Sequence, residues 1–258
     1  MNKVIVIIGI GELGSIFARG FLRSRYPVYP VTRDMDISEV SKAVPEPELA
    51  LVAVAENDIS EVLATIPTPW RDRIGLLQNE LLPKDWKAHK IEQPTVISVW
   101  FEKKKGMDYN VFIPSPVYGP KGKLIADCLA SIDIPCNVLS SEDELLFELV
   151  VKNVFVLTIN IAGLETGGTT GILWSEHNQL ARKVANDVID LQEWITGATF
   201  ARDRLIAGVV DGINGAPDHK CIGRAAPARL ERVIDLANKA NLKIPKIREI
   251  HKKHQGTN

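Results

Sequence analysis

The stretch Lys3-Val4-Ile5-Val6-Ile7-Ile8-Gly9-Ile10-Gly11-Glu12-Leu13-Gly14 decides the fold. The apolar run Val4 to Ile8 carries no polar interruption, which marks a strand buried on both faces. It stops at Gly9, too short for a signal-sequence core or a membrane span. Beyond it Leu13, Ile16, Phe17, Gly20, Phe21 and Leu22 recur at three- and four-residue spacing, so a helix packs back on the sheet. Strand, Gly-x-Gly-x-x-Gly and helix, in that order, form the context in which the glycine pattern has a mechanical meaning. Gly9 permits a tight turn, Gly11 lets backbone approach a pyrophosphate, and Gly14 lets helix and strand pack closely. The helix start, at Glu12 and Leu13, then turns open amides and a positive dipole end toward the phosphates.

Outward from this unit, short apolar runs alternate with amphipathic stretches as far as about residue 115. The runs are Val28 to Thr32, Leu49 to Ala55, Ile74 to Leu77, Thr95 to Phe101 and Asn110 to Ile113. That rhythm belongs to βαβ units feeding a parallel sheet. Asn57 or Asp58 supplies an N-cap for a helix through Leu63. The charge run Glu102 to Lys105 before Gly106 reads as a solvated hairpin turn, and Pro114, Pro116, Gly119, Pro120 and Gly122 mark a turn-rich passage.

From Ser141 onward strand signals fade. Helical patterns run over Glu142 to Ala162, Glu176 to Thr196, Phe200 to Val210 and Ala226 to Ala240, the first opened by Ser140 or Ser141 with acidic residues after it. The stretch His251-Lys252-Lys253-His254 reads as a frayed polar tail. The expected architecture is α/β: a Rossmann parallel sheet in residues 1–140, then an all-helical substrate and dimerisation domain in 141–258.

Composition narrows the function classes. The chain has 258 residues, 45% hydrophobic and 24% charged, as in an ordinary water-soluble protein large enough to fold without disulfides or metal. Thirty-one Lys and Arg against 32 Asp and Glu leave a formal charge of −1, so no basic field exists to hold a nucleic acid. Cys128, Cys136 and Cys221 are widely spaced, with no Cys-x-x-Cys and no His-rich partner, which argues against a disulfide framework and against a zinc site. The expected home is the reducing cytoplasm.

The end of the second strand selects the dinucleotide. A site for NAD places Asp or Glu there to hold the ribose hydroxyls, whereas this chain has Thr32-Arg33. A planar guanidinium bonds two oxygens of a 2′-phosphate while neutralising its charge, so NADPH is the expected cofactor. The rival reading is a solvated Arg33 with Asp34 or Asp36 on the ribose.

Reduction of a carbonyl by hydride needs a proton donor, and no metal motif offers a substitute. Lys152 is the one charged residue between Glu148 and Glu165, set among Val150, Val151, Val154, Phe155, Val156 and Leu157. Such surroundings desolvate an ammonium and suit it to general acid catalysis; alternatively its stem packs while its head reaches water. Asn79 ends an apolar strand, where open α/β sheets keep active-site groups, and either bonds a substrate carbonyl or makes an Asx turn. Asn160 lies eight positions beyond Lys152, a little over two helical turns, and either faces the same substrate or bonds its own helix. His219, Lys220 and Arg224 lie between two helices, available for a substrate carboxylate and proton transfer or simply solvated. Gly167-Gly168-Thr169-Thr170-Gly171 follows a helix, not a strand, and reads as a loop or hinge.

Several of these residues together resemble the ketopantoate reductase family, within the group that shares a 6-phosphogluconate-dehydrogenase-like helical C-terminal domain. Arg33 falls where the family keeps its 2′-phosphate arginine. Leu76-Leu77-Gln78-Asn79-Glu80 resembles the strand ending in an asparagine beside nicotinamide and substrate. Lys152 matches the catalytic lysine and Asn160 a substrate-binding asparagine. The chain departs from the family at Val156, at Arg224-Ala225 in place of a Thr-Glu pair, and at Ala55-Glu56 in place of a cofactor-binding lysine. The resemblance implies an NADPH-dependent reductase of a small 2-oxo acid or related carbonyl, working as a homodimer. An imine- or opine-type dehydrogenase and a dinucleotide-binding module without turnover are the alternatives.

Overall fold

Apolar tetrapeptides build the sheet centre. In the computed structural model, which describes residues 3–255, β1 (Ile5–Ile8) is buried at every position, and so, after α1 (Glu12–Arg23), β2 (Val28–Val31) and α2 (Ile37–Ala43), is β3 (Leu49–Val52). There follow α3 (Ile59–Thr65), β4 (Ile74–Leu76), α4 (Pro83–Lys87) and β5 (Thr95–Ile97). A separate hairpin, β6 (Phe101–Lys103) with β7 (Tyr109–Val111), precedes β8 (Ser115–Tyr118), α5 (Gly122–Ala130) and β9 (Cys136–Val138). The seven-stranded sheet runs β2-β1-β3-β4-β5-β8-β9, parallel except where β8 meets β5. The chain reverses direction of travel at β1, between β2 and β3, and ligands of open α/β sheets bind at such a switch point.

One face of this sheet is covered by α1 and α5. Phe17, Phe21, Ile125, Leu129 and Ile132 join Ile5, Ile7, Leu49 and Leu51 in a single buried cluster. A Cβ at Gly20 would stand 2.8 Å from the Cys128 carbonyl oxygen, so the glycine is what lets the two helices approach. Each fully buried side chain of this size stabilises the fold by about 1.5–3 kcal/mol.

The remaining elements are helical: α6 (Glu142–Thr166), α7 (Thr170–Glu176), α8 (Asn178–Thr196), α9 (Arg202–Gly215), α10 (Ala226–Ala240) and α11 (Pro245–Gln255). Ser141 Oγ accepts from the Glu144 amide at 3.1 Å and so caps α6, while the Glu144 carboxylate accepts from the amide and hydroxyl of Ser140. By length and composition α6 would cross a membrane, but 83% of its apolar window is buried inside the protein. An all-round apolar helix is then a core helix. Two compact units emerge, 3–149 and 150–255, and the division falls within α6, nine residues beyond the boundary expected at 140.

Three local expectations need correction. The turn-rich passage contains β8, with Pro116 inside it, followed at once by α5. The helix expected over Glu176 to Thr196 is α8, which starts two residues later, Glu176 being the last residue of α7. His251 to His254 are not a frayed tail but the last turns of α11, where His251 meets Glu231 at 3.0 Å and Lys253 meets Glu165 at 2.8 Å. The run Glu102 to Lys105 does lead into a hairpin turn at Lys105 and Gly106, but Glu102 and Lys103 belong to β6 and Lys103 bonds Glu12.

Candidate functional site

The turn after β1 uses its three glycines differently. Gly9 has φ +94°, and a Cβ there would lie 2.8 Å from the Ala53 carbonyl oxygen, so the turn is pressed against the end of β3. At Gly14 a Cβ would stand 2.1 Å from the Gly9 carbonyl oxygen, backbone against backbone. Gly11, the N-cap of α1, has an ordinary φ of −71° and nothing within 4 Å of the position a Cβ would take. Protein packing explains the first two glycines. The third, exposed Gly11, faces open space. No side chain caps α1, so its first amides remain available to an anion, as a pyrophosphate-binding helix requires.

Beside this turn lies a cavity of about 760 Å³, lined by Gly9, Gly11, Thr32, Arg33, Asp58 and Glu61 among others. Its size and its place at the sheet's switch point suit the adenosine half of a dinucleotide. The Arg33 side chain is 91% exposed and its Nη2 meets Asp58 Oδ2 at 3.3 Å. Asp36, a rival for the ribose, instead accepts from the Ser38 amide at 2.8 Å and caps α2; the Ser38 side chain and that amide together hold its carboxyl below the usual carboxylate range. Glu12, at the mouth of the phosphate turn, is paired with Lys103 at 2.7 Å. This ion pair offsets a carboxylate that would otherwise repel a pyrophosphate. Leu13 is half-buried and packs on the sheet core.

Asn79 is exposed in the turn that follows β4 and is not among the residues lining that cavity. Its neighbour Gln78, overlooked in the sequence, fixes this turn. The buried Gln78 amide donates to the Val52 carbonyl at 2.8 Å and to Val54 at 3.3 Å, and its oxygen accepts from the Leu77 amide. The ends of β3 and β4 are thereby stapled together.

In the helical unit Lys152 is 9% exposed, with its ammonium 5.4 Å from the centre of the Phe155 ring. Asn160 is buried, its Nδ2 donating to the Cys221 carbonyl at 2.9 Å and its Oδ1 accepting from Arg229 at 2.7 Å. Arg229, itself 8% exposed, is a second residue that sequence reading missed. The loop carrying His219, Lys220 and Arg224 is ordered by backbone bonds to the glycine-rich segment: the Thr170 amide donates to the His219 carbonyl and the Cys221 amide to the Gly168 carbonyl. The structure therefore brings Asn160 to the 219–224 loop, where Lys220 and Arg224 are exposed. Burial pushes the Cys221 thiol up to about 11 and the Cys136 thiol up to about 12, which keeps both protonated and suits packing rather than nucleophilic roles. Among the described residues no group of three or more His, Cys, Asp or Glu could hold a metal ion.

No protein-family model matches the sequence, and no curated protein matches it. Solved structures do match the fold. A 2-dehydropantoate 2-reductase from Methylococcus capsulatus has a TM-score of 0.70 at 14% identity, covering 98% of this chain and 96% of that one. A dimeric ketopantoate reductase from Staphylococcus aureus has 0.66 at 16%, covering 98% of each. A D-mandelate dehydrogenase in a ternary structure with NADH and anilino(oxo)acetate has 0.65 at 12%, covering 96% of each. The chain thus has the ketopantoate reductase fold, a Rossmann N-terminal region followed by a helical C-terminal one, as its sequence motifs implied.

Proposed function

We propose that the chain is a cytoplasmic, homodimeric, NADPH-dependent oxidoreductase that reduces a small 2-oxo acid or a related carbonyl compound. The observation that carries this reading is the open face at Gly11, in a turn otherwise closed by protein, beside a cavity with Arg33 on its rim. The turn and the α1 amides would hold the pyrophosphate, with Thr32 and Arg33 on the adenosine ribose and its 2′-phosphate. A bound nicotinamide supplies the hydride that reduces the carbonyl carbon.

The chain's own residues supply the rest. Lys152, scarcely exposed to water, gives its proton to the carbonyl oxygen. Asn79 orients the substrate carbonyl beside the cofactor. Asn160, held by Arg229 and Cys221, keeps one amide N–H to present to a substrate oxygen. Lys220 and Arg224, with His219, take the substrate carboxylate. In the proposed division of labour residues 1–140 hold the cofactor and 141–258 the substrate and the dimer contact.

A second reading, a dinucleotide-binding module without turnover, is favoured by one observation: both polar atoms of Asn160 are already engaged by protein. Loss of NADPH absorbance with a panel of small 2-oxo acids separates the two, with candidates chosen by mass spectrometry of small molecules the purified protein retains. Turnover with at least one oxo acid is the expected result. NADPH binding without turnover on any of them supports the module.

A further inference from the structure

Asp58 occupies the N-cap of α3 without capping it. Its side chain accepts no bond from the helix, and its backbone, at φ −94° and ψ −9°, is already helical where a capping residue is extended. The carboxylate instead meets Arg33 at 3.3 Å, and both line the cavity together with Glu61. The helix accounts for nothing about this side chain; the cavity does.

We propose that Asp58 is a specificity-determining residue, whose carboxylate competes with the adenosine 2′-phosphate for Arg33 and so sets the preference for NADPH over NADH. The inference rests on reading this cavity as the dinucleotide site. With the Arg33 side chain 91% exposed, the ion pair is held in water and is weak, so a dianionic phosphate displaces it readily. The displaced carboxylate nevertheless remains on the cavity wall, next to Glu61. Two negative groups beside the phosphate oppose its binding. Neither opposes an uncharged 2′-hydroxyl.

Asp58→Asn removes the charge, keeps the side-chain shape and leaves a residue as suited to an N-cap as aspartate. Calorimetric titration of the full chain with NADPH and with NADH, at low and at physiological salt, reads the effect. NADPH should bind the variant roughly 3- to 10-fold more tightly at low salt. The gain should shrink as salt screens it, and NADH affinity should stay within about twofold. In an Arg33→Ala background the same substitution should gain only about twofold, because no guanidinium is left to compete for. An unchanged NADPH to NADH ratio in Asp58→Asn, or an equal gain without Arg33, overturns the inference alone. Weakened NADH binding overturns it in favour of Asp58 as a ribose ligand. If the wild-type chain binds neither dinucleotide, the reading of the cavity falls and the inference with it.

Discussion

A methyl group added at Gly11 meets no protein atom within 4 Å, and the local φ of −71° is open to any L-residue. Gly11→Ala should therefore cost the fold little: an alanine N-cap is about 1 kcal/mol worse than glycine, a fall in Tm of roughly 2–4 °C for a chain of this length. The ligand should suffer far more, because the methyl occupies the space through which the pyrophosphate reaches the α1 amides. Two charged hydrogen bonds lost at about 1.5–3 kcal/mol each weaken binding by at least about a hundredfold, equally for NADPH and NADH. Gly14→Ala is the contrasting case. Its methyl would lie 2.1 Å from the Gly9 carbonyl oxygen, so strand and helix must part, and stability falls by roughly 1–3 kcal/mol or more. Thermal unfolding followed by circular dichroism, with calorimetric titration of both dinucleotides, reads the pair of variants. Wild-type affinity in a well-folded Gly11→Ala would show that no pyrophosphate lies on this turn.

The chemistry is tested by Lys152→Met, which should keep cofactor affinity while kcat falls by about 10²–10⁴-fold in a turnover assay; near-native turnover would leave Lys152 a packed lysine. Glu249 bonds Lys253 and Lys246, which bring its carboxyl down from 4.5 to about 2. Its contribution to stability is thus full above pH 4.5 and disappears as pH falls toward 2, so Glu249→Gln should flatten the decline of Tm across that window. An identical decline in both proteins would remove the ion pairs from the acid response. Sedimentation at micromolar concentration should show a homodimer, and a 28.5 kDa species alone would contradict it.

What the sequence disclosed was what is local and repetitive. Ile5 to Ile8, the three glycines and the apolar stripe from Leu13 to Leu22 lie within twenty residues and signal one another, so the strand, turn and helix could be read directly. The strand β8 could not, because Pro116 within it forfeits a ladder amide and resembles turn chemistry. The helix α11 offers only Ile247 and Ile250 as buried apolar residues; its start is secured by Asp187 of α8, whose carboxylate accepts from the Lys246 and Ile247 amides at 2.8 and 3.0 Å. That bond joins positions too far apart to leave a local pattern. Arg229 on Asn160 and Lys103 on Glu12 are contacts of the same long-range kind. Residue type offers Asn57 or Asp58 as the cap of α3; Asp58 takes that position, yet tertiary placement turns its carboxylate to Arg33.

Titration of the purified wild-type protein with NADPH and NADH tests most directly whether the chain binds NADPH through the β1 turn and Arg33. The expected result is one site per chain, with NADH about ten- to a hundredfold weaker, the worth of one charged hydrogen-bonded pair to the 2′-phosphate. Absence of binding by either dinucleotide, or tighter binding of NADH, would contradict it.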